Sequence, residues 1–245
     1  MEKCKVFNAF QIKILMAILM LFDHLRYISN FIPPEVASVF TIISRCVAPM
    51  FAYLVVEGIR HTRNMKKYCL RLSILVVIMF VGNAILNTFF QSFSRSLSDM
   101  ERRHLLINNN VIFTLAMGVF AVVLIQRAKD TTKARDTTKL LYVIALICFM
   151  AGFIWGEWGT VLLPFMVIEY FFQNKKVIRY LGYCLIEIVA ILLPFSEPLY
   201  FLVFPFILLY NGERGPKTRF SKYFFYIFYP IHIWVIYIIN FIVTI

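Results

Sequence analysis

Long apolar runs, broken by short basic or polar stretches, fill almost the whole chain. Runs of about 17–25 such residues can each cross a bilayer as a helix, whereas buried strands are far shorter. On that rule the pattern predicts nine spans, at 9–29, 36–59, 69–91, 109–126, 140–155, 158–173, 177–194, 198–210 and 223–243. The eighth is short, and the fifth and sixth are joined tightly. No connection is long enough to bury a core of its own. The expected fold is therefore all-α, a polytopic transmembrane helix bundle forming one domain over residues 1–245.

Basic residues orient this bundle. Lys3, Lys5 and Lys13 stand at the start, and Arg60, Arg63, Lys66, Lys67 and Arg71 follow span two. Arg127, Lys129, Lys133, Arg135 and Lys139 follow span four; Lys175, Lys176 and Arg179 follow span six; Arg214, Lys217, Arg219 and Lys222 follow span eight. Most Lys and Arg thus fall on alternate connections, and the positive-inside rule puts the N-terminus in the cytoplasm and the C-terminus outside. The net charge of +12 is then a consequence of topology, and no nucleic-acid partner is expected. A content of 61% hydrophobic residues exceeds the roughly 45–50% of soluble domains. The expected location is the cell (plasma) membrane, multi-pass, with the lipid bilayer as immediate partner.

Cys4, Cys46, Cys69, Cys148 and Cys184 are scattered, without a C-x-x-C pair, so neither a disulfide framework nor a metal site is expected. The first span is too long for a signal-peptide core and is read as retained. The repeated polar unit in Lys129-Asp-Thr-Thr-Lys-Ala-Arg-Asp-Thr-Thr-Lys139 reads as a solvated linker.

The apolar runs contain a few polar groups, and ionisable groups within a span mark a functional site by default. Asp23-His24 lies in the outer half of span one, about 8 Å below the outer surface at 1.5 Å per residue. Span two runs inward, which sets Arg45 about 13 Å down. A turn around Pro33-Pro34 makes these spans neighbours, so Asp23, His24 and Arg45 share one depth. Adjacent side chains diverge by about 100° on a helix. Asp23 therefore pairs with Arg45 or orients a neighbour, while His24 faces a cavity; the plain alternative is an interhelical ion pair beside a hydrogen-bonded structural His.

At the inner end of span two, Glu57-Gly-Ile-Arg-His-Thr-Arg-Asn64 places Glu57, Arg60, His61, Arg63 and Asn64 beside Lys66, Lys67 and Arg71. Ordinary headgroup contact accounts for such charge; a phosphate cradle is the sharper reading. In span nine, Tyr229, Pro230 and His232 form either a kinked helix with a locally bonded His or a second wall of the cavity. Asn108-Asn-Asn110 is expected to cap span four from outside, and Trp155-Gly-Glu157-Trp158-Gly to make a tight outer turn. Asn110, Glu157, Tyr229 and His232 are the candidate substrate contacts.

Taken together, several stretches resemble the TraX family of integral-membrane acetyltransferases. They are Lys13-Ile-Leu…Phe22-Asp-His24; Arg45…Pro49-Met-Phe-Ala-Tyr-Leu-Val-Val-Glu-Gly-Ile-Arg-His-Thr-Arg-Asn64 with Tyr68 and Arg71; Asn110-Val-Ile-Phe-Thr-Leu-Ala-Met-Gly118; and Lys222-Tyr-Phe-Phe-Tyr-Ile-Phe-Tyr-Pro-Ile-His232. They cover nearly the whole chain in family order. Two outward stretches depart from the family pattern. Gly82-Asn-Ala-Ile-Leu-Asn87 and the polar loop Ser92 to His104 stand where a Ser/Pro-rich segment is expected, and Glu157-Trp-Gly replaces Asp-Tyr-Gly.

The resemblance implies a membrane acyltransferase distantly similar to the acyltransferase-3 group. It would move an acetyl or acyl group from cytoplasmic acyl-CoA (acetyl-CoA as donor co-substrate) to an extracytoplasmic acceptor. That acceptor is a peptide amine such as a pilin or secreted-peptide N-terminus, or a glycan hydroxyl. The group's catalytic His carries over to His24 as general base, with Asp23 orienting and Arg45 stabilising the oxyanion. Coenzyme A phosphates would rest on Arg60, Arg63, Lys66 and Lys67. Transfer through acyl-His24 or acyl-Cys46 is an alternative route. A proton- or ion-coupled transporter using Asp23, His24 and Arg45 as a relay is the rival reading, although it would want an internal repeat that the sequence lacks. A non-catalytic subunit of a pilus or secretion apparatus is a third.

Overall fold

A computed structural model describes residues 5–94, 97–130, 135–192 and 200–245. Lys3, Cys4, Arg95, Lys133, part of the Lys129 to Lys139 linker and the start of the eighth expected span lie outside the described residues. The helices are α1 (Ala9–His24), α2 (Pro34–Ser44), α3 (Val47–His61), α4 (Met65–Phe93), α5 (Asp99–His104), α6 (Val111–Asp130), α7 (Arg135–Trp155), α8 (Gly159–Phe171), α9 (Lys176–Leu192), α10 (Phe204–Leu209) and α11 (Arg219–Thr244). Short 3-10 turns cover Leu25–Tyr27 and Tyr200–Val203. The all-α expectation holds.

Among the described residues, five segments are long and apolar enough to cross a membrane: Pro34–His61, Met65–Phe93, Val111–Asp130, Arg135–Trp155 and Arg219–Thr244. They correspond to the second, third, fourth, fifth and ninth expected spans, and they make this a multi-pass membrane protein. The other four are shorter. At 1.5 Å per residue the 13-residue α8 reaches about 20 Å, against a hydrocarbon thickness of about 30 Å. The eighth expected span becomes a 3-10 turn followed by the six-residue α10. Exposed Leu140, Val143, Leu146, Ile147, Met150 and Ile154 on α7 would be a liability in water. Facing lipid tails, they cost nothing.

Helix ends follow their local chemistry. Asn8 and Gln11 form a reciprocal capping box on α1, and Ser98 and Glu101 do the same on α5. The Lys67 N–H donates to Asn64 Oδ1 at 2.9 Å, and the Phe113 N–H to Asn110 Oδ1 at 3.3 Å. These side chains satisfy N-terminal amides that have no intrahelical partner. The expected cap at Asn110 is observed.

The chain divides into two compact units, and α4 contributes to both. In the first (Met1–Val47, Val77–Asn109, Phe204–Ile245), α1 packs on α2 and α11. The turn after α1 is fixed by Asn240, whose Oδ1 accepts the Ser29 N–H and hydroxyl, each at 3.0 Å. The stretch after Gly82 holds its surroundings in place. Asn83 Oδ1 accepts from Trp234 Nε1 at 2.9 Å, and Asn87 exchanges two hydrogen bonds with the Ile107 backbone. In the second unit (Ala48–Val76, Asn110–Val203), α6 packs on α7 and α8, and α8 on α9. The tight turn expected between spans five and six runs from Trp155 to Gly159. A Cβ at Gly156 or Gly159 would overlap the Gly152 carbonyl oxygen, so only glycine permits so close a return.

Candidate functional site

The first unit brings together residues that are far apart in sequence. His24 is the last residue of α1 and is buried; His232, two residues past Pro230 in the middle of α11, is buried as well. His24 Nδ1 lies 3.0 Å from His232 Nε2, and His232 Nδ1 lies 2.8 Å from the Phe228 carbonyl oxygen. Pro230, having no N–H, frees the carbonyl of Tyr226, four residues back. His232 nevertheless bonds the carbonyl of Phe228, so its local bond is not a repair of the proline gap.

Aromatic rings hold both imidazoles. His24 stacks on Tyr27 with centroids 5.6 Å apart, and Tyr27 stacks on Tyr237 at 5.3 Å. The His232 ring lies nearly parallel to Phe228 at 4.6 Å and edge-on to Tyr229 at 5.7 Å. Tyr229 therefore touches the site through a ring contact.

Asp23 and His24 diverge as the helix geometry requires. Asp23 Oδ1 is 3.7 Å from Arg26 Nε, and Arg26 Nη1 donates to Thr41 Oγ1 on α2 at 3.1 Å. Arg26 and Tyr27 are the neighbours of Asp23 and His24 that the sequence reading left without a role. The 3-10 turn at Leu25–Tyr27 is what rotates them toward α2 and α11. Arg45 stands at the C-cap of α2, half-buried. Cys46 beside it is buried, with its Sγ 3.2 Å from the Ile43 carbonyl oxygen.

The second unit holds the cationic patch, and the structure divides it. Glu57 accepts from Arg60 Nη1 at 2.8 Å and lies 2.9 Å from His61 Nε2, one helical turn on. Arg60 Nη1 also reaches the fully buried Glu169 at 3.0 Å, and its Nη2 donates to the Glu169 carbonyl. Arg179 Nη1 (3.2 Å) and the Tyr183 hydroxyl complete the set around the Glu169 carboxylate. Glu169 and Tyr183 escaped the sequence reading, which took Arg179 only as one of the basic residues after span six, although an acidic residue inside an expected span was a signal for the cluster. Arg63 and Asn64, just before α4, and Lys66 and Lys67, in its first turn, are exposed, and Arg71 further along α4 is half-buried. Arg63, Lys66 and Lys67 form no ion pair among the described residues.

Also in the second unit, Glu157 and Asn110 meet. The Asn110 N–H donates to Glu157 Oε2 at 2.8 Å, and the Thr114 hydroxyl donates to the Glu157 carbonyl at 2.7 Å. Asn110 Nδ2 is buried without a hydrogen-bond partner among the described residues. The open cleft lined by Gln91, Asp99, Arg102, Arg103 and Leu106 shares no residue with these clusters. Among the described residues, no group of three His, Cys, Asp or Glu could hold a metal ion.

A buried His pair can hold or pass a proton, and exposed cations at a helix start can bind an anion. Comparison with known proteins gives this chemistry a context. The probable fimbrial assembly protein FimC, serogroup H1, of Dichelobacter nodosus is 26% identical over 246 residues, covering 93% of each chain. No solved structure matches the chain significantly. A family model described as TraX protein matches residues 9–240. The chain belongs to the TraX family.

Proposed function

We propose that this chain is a membrane acetyltransferase that carries an acetyl group from acetyl-CoA to an amine or hydroxyl of an extracytoplasmic acceptor. A pilin or fimbrial subunit is the favoured acceptor, on the strength of the family and of the FimC relative. The observation that carries the reading is His24: a buried imidazole with one nitrogen engaged by His232, in a chain matched by the family over most of its length. The N-terminus lies in the cytoplasm by the distribution of Lys and Arg.

In the proposed reaction, a ring nitrogen of His24 takes a proton from the acceptor amine or hydroxyl as its lone pair bonds to the acyl carbon. Arg45 stabilises the oxyanion that forms. The thioester C–S bond then breaks, and the leaving thiolate takes the proton from the imidazolium, so that neutral His24 and coenzyme A thiol result. Arg63, Lys66 and Lys67 are the exposed cations suited to the coenzyme A phosphates; Arg60 acts as a strut, since two carboxylates already engage it. A His pair also suits a proton relay, which keeps a proton-coupled transporter as the competing reading.

Two measurements test this. Purified protein in detergent should bind acetyl-CoA, and His24→Ala should bind it while losing transfer. The pilin or fimbrial subunit from cells making the wild-type chain should carry one acetyl group, absent with His24→Ala. Failure of folded wild-type protein to bind acetyl-CoA would overturn the reading and favour the relay.

A further inference from the structure

We propose that His232 is a positioning residue that fixes the tautomer of His24 and leaves Nε2 of His24 as its basic nitrogen. The inference rests on His24 being the general base, and it assigns His232 a role other than substrate contact. A carbonyl oxygen can only accept a hydrogen bond, so His232 Nδ1, 2.8 Å from the Phe228 oxygen, carries the hydrogen. A neutral imidazole with Nδ1–H has its lone pair on Nε2. That nitrogen is 3.0 Å from His24 Nδ1, which must therefore donate. The lone pair of His24 is then on Nε2, directed away from His232.

This order is imposed by the fold. A histidine side chain in water favours the Nε2–H tautomer, the one that could not act as base at that atom. Both rings are buried, so water does not compete for the bond. The near-parallel stack of His232 on Phe228, with an interplanar angle of 8°, opposes rotation of the ring that would exchange its nitrogens. The chain Phe228–His232–His24 thus does for this base what an orienting carboxylate does in a hydrolase triad.

Nuclear magnetic resonance on purified protein labelled with 15N-histidine reads the tautomer with neither donor nor acceptor present. Loss of signals in the His61→Asn and His104→Asn proteins, both exposed positions, and in His232→Gln assigns three of the four histidines directly and His24 by elimination. The expected result is Nδ1–H on His24 in the wild type and a shift toward Nε2–H in His232→Leu. His232→Gln, whose amide oxygen reaches the place of Nε2, should retain Nδ1–H. His232→Asn, which replaces only Nδ1, should not. Acetyl transfer should follow the same order, with the Leu and Asn proteins slower by on the order of 10²–10⁴-fold. Nε2–H on wild-type His24, or a tautomer indifferent to His232→Leu, would overturn the assignment. If the Leu protein fails to fold, the wild-type spectrum alone decides. The predicted tautomer order without any acetyl transfer would instead defeat the proposed function and leave the hydrogen-bond assignment standing.

Discussion

The carboxylate of Glu169 on α8 lies 3.0 Å from Arg60 Nη1 on α3, fully buried, and it also receives Arg179 from α9. Removing one partner of a buried ion pair leaves an uncompensated charge, which costs about 3–5 kcal/mol. Glu169→Ala should therefore lower the thermal unfolding temperature in detergent strongly. Glu57→Ala should lower it less, because Arg60 keeps Glu169 and Glu57 is partly exposed. Equal shifts for the two variants would refute a central role for Glu169.

Much of this was legible in the sequence, and the gaps have physical causes. Apolar run length found the five full-length spans, and the polar outliers Asp23, His24 and His232 stood out because burying such groups in a bilayer is costly. Their pairing was not legible: 208 positions separate His24 from His232, and periodicity says nothing about which helices meet. The apolar pattern runs on through Ile28, so it hides the end of α1 at His24 and the 3-10 turn that swings Tyr27 onto Tyr237. Glu57 with Arg60 and His61 could be read from helical spacing. Glu169 could not be linked to Arg60 that way, and near Lys175 and Lys176 it passes for a terminal charge.

Asn240 accepts both hydrogen bonds from Ser29, so its loss removes two bonds at once from the turn that follows His24. Asn240→Ala should cost about 1–3 kcal/mol, whereas Ser29→Ala, which keeps the amide bond and removes only the exposed hydroxyl's contacts with Asn240 and Thr244, should cost about 0.5–1.5 kcal/mol. Chemical unfolding in detergent checks both. A larger loss for Ser29→Ala would mean that Asn240 is not the anchor.

A Cβ at Gly82 would overlap the indole of Trp234, which Asn83 fixes by its hydrogen bond. Gly82→Ala should cost about 1–3 kcal/mol by overpacking. Trp234→Leu should be destabilising alone, yet it should relieve the cost of Gly82→Ala in the double variant. The coupling energy from that cycle is the measurement, and simple additivity would show that the two positions do not clash.

The open part of the cationic patch makes the last prediction. Lys66 and Lys67 stand in the first turn of α4, where the helix dipole already presents positive charge, a placement disfavoured by roughly 0.3–1 kcal/mol per residue unless an anion is near. Arg63 adds a third exposed cation just before the helix. If these residues receive coenzyme A phosphates, each substitution by Ala should weaken acetyl-CoA binding by about tenfold, the effect of roughly 1.4 kcal/mol. Stability should stay unchanged or rise slightly, in contrast to Arg60→Ala, which breaks the Glu169 cluster. Binding of acetyl-pantetheine, which lacks the nucleotide phosphates, should be indifferent to all three substitutions. Added salt should weaken acetyl-CoA binding to the wild type more than to the triple variant, because screening acts only on charges that take part. If acetyl-CoA and acetyl-pantetheine respond alike to Arg63→Ala, Lys66→Ala and Lys67→Ala, the patch is membrane-surface charge, and the phosphates are held elsewhere.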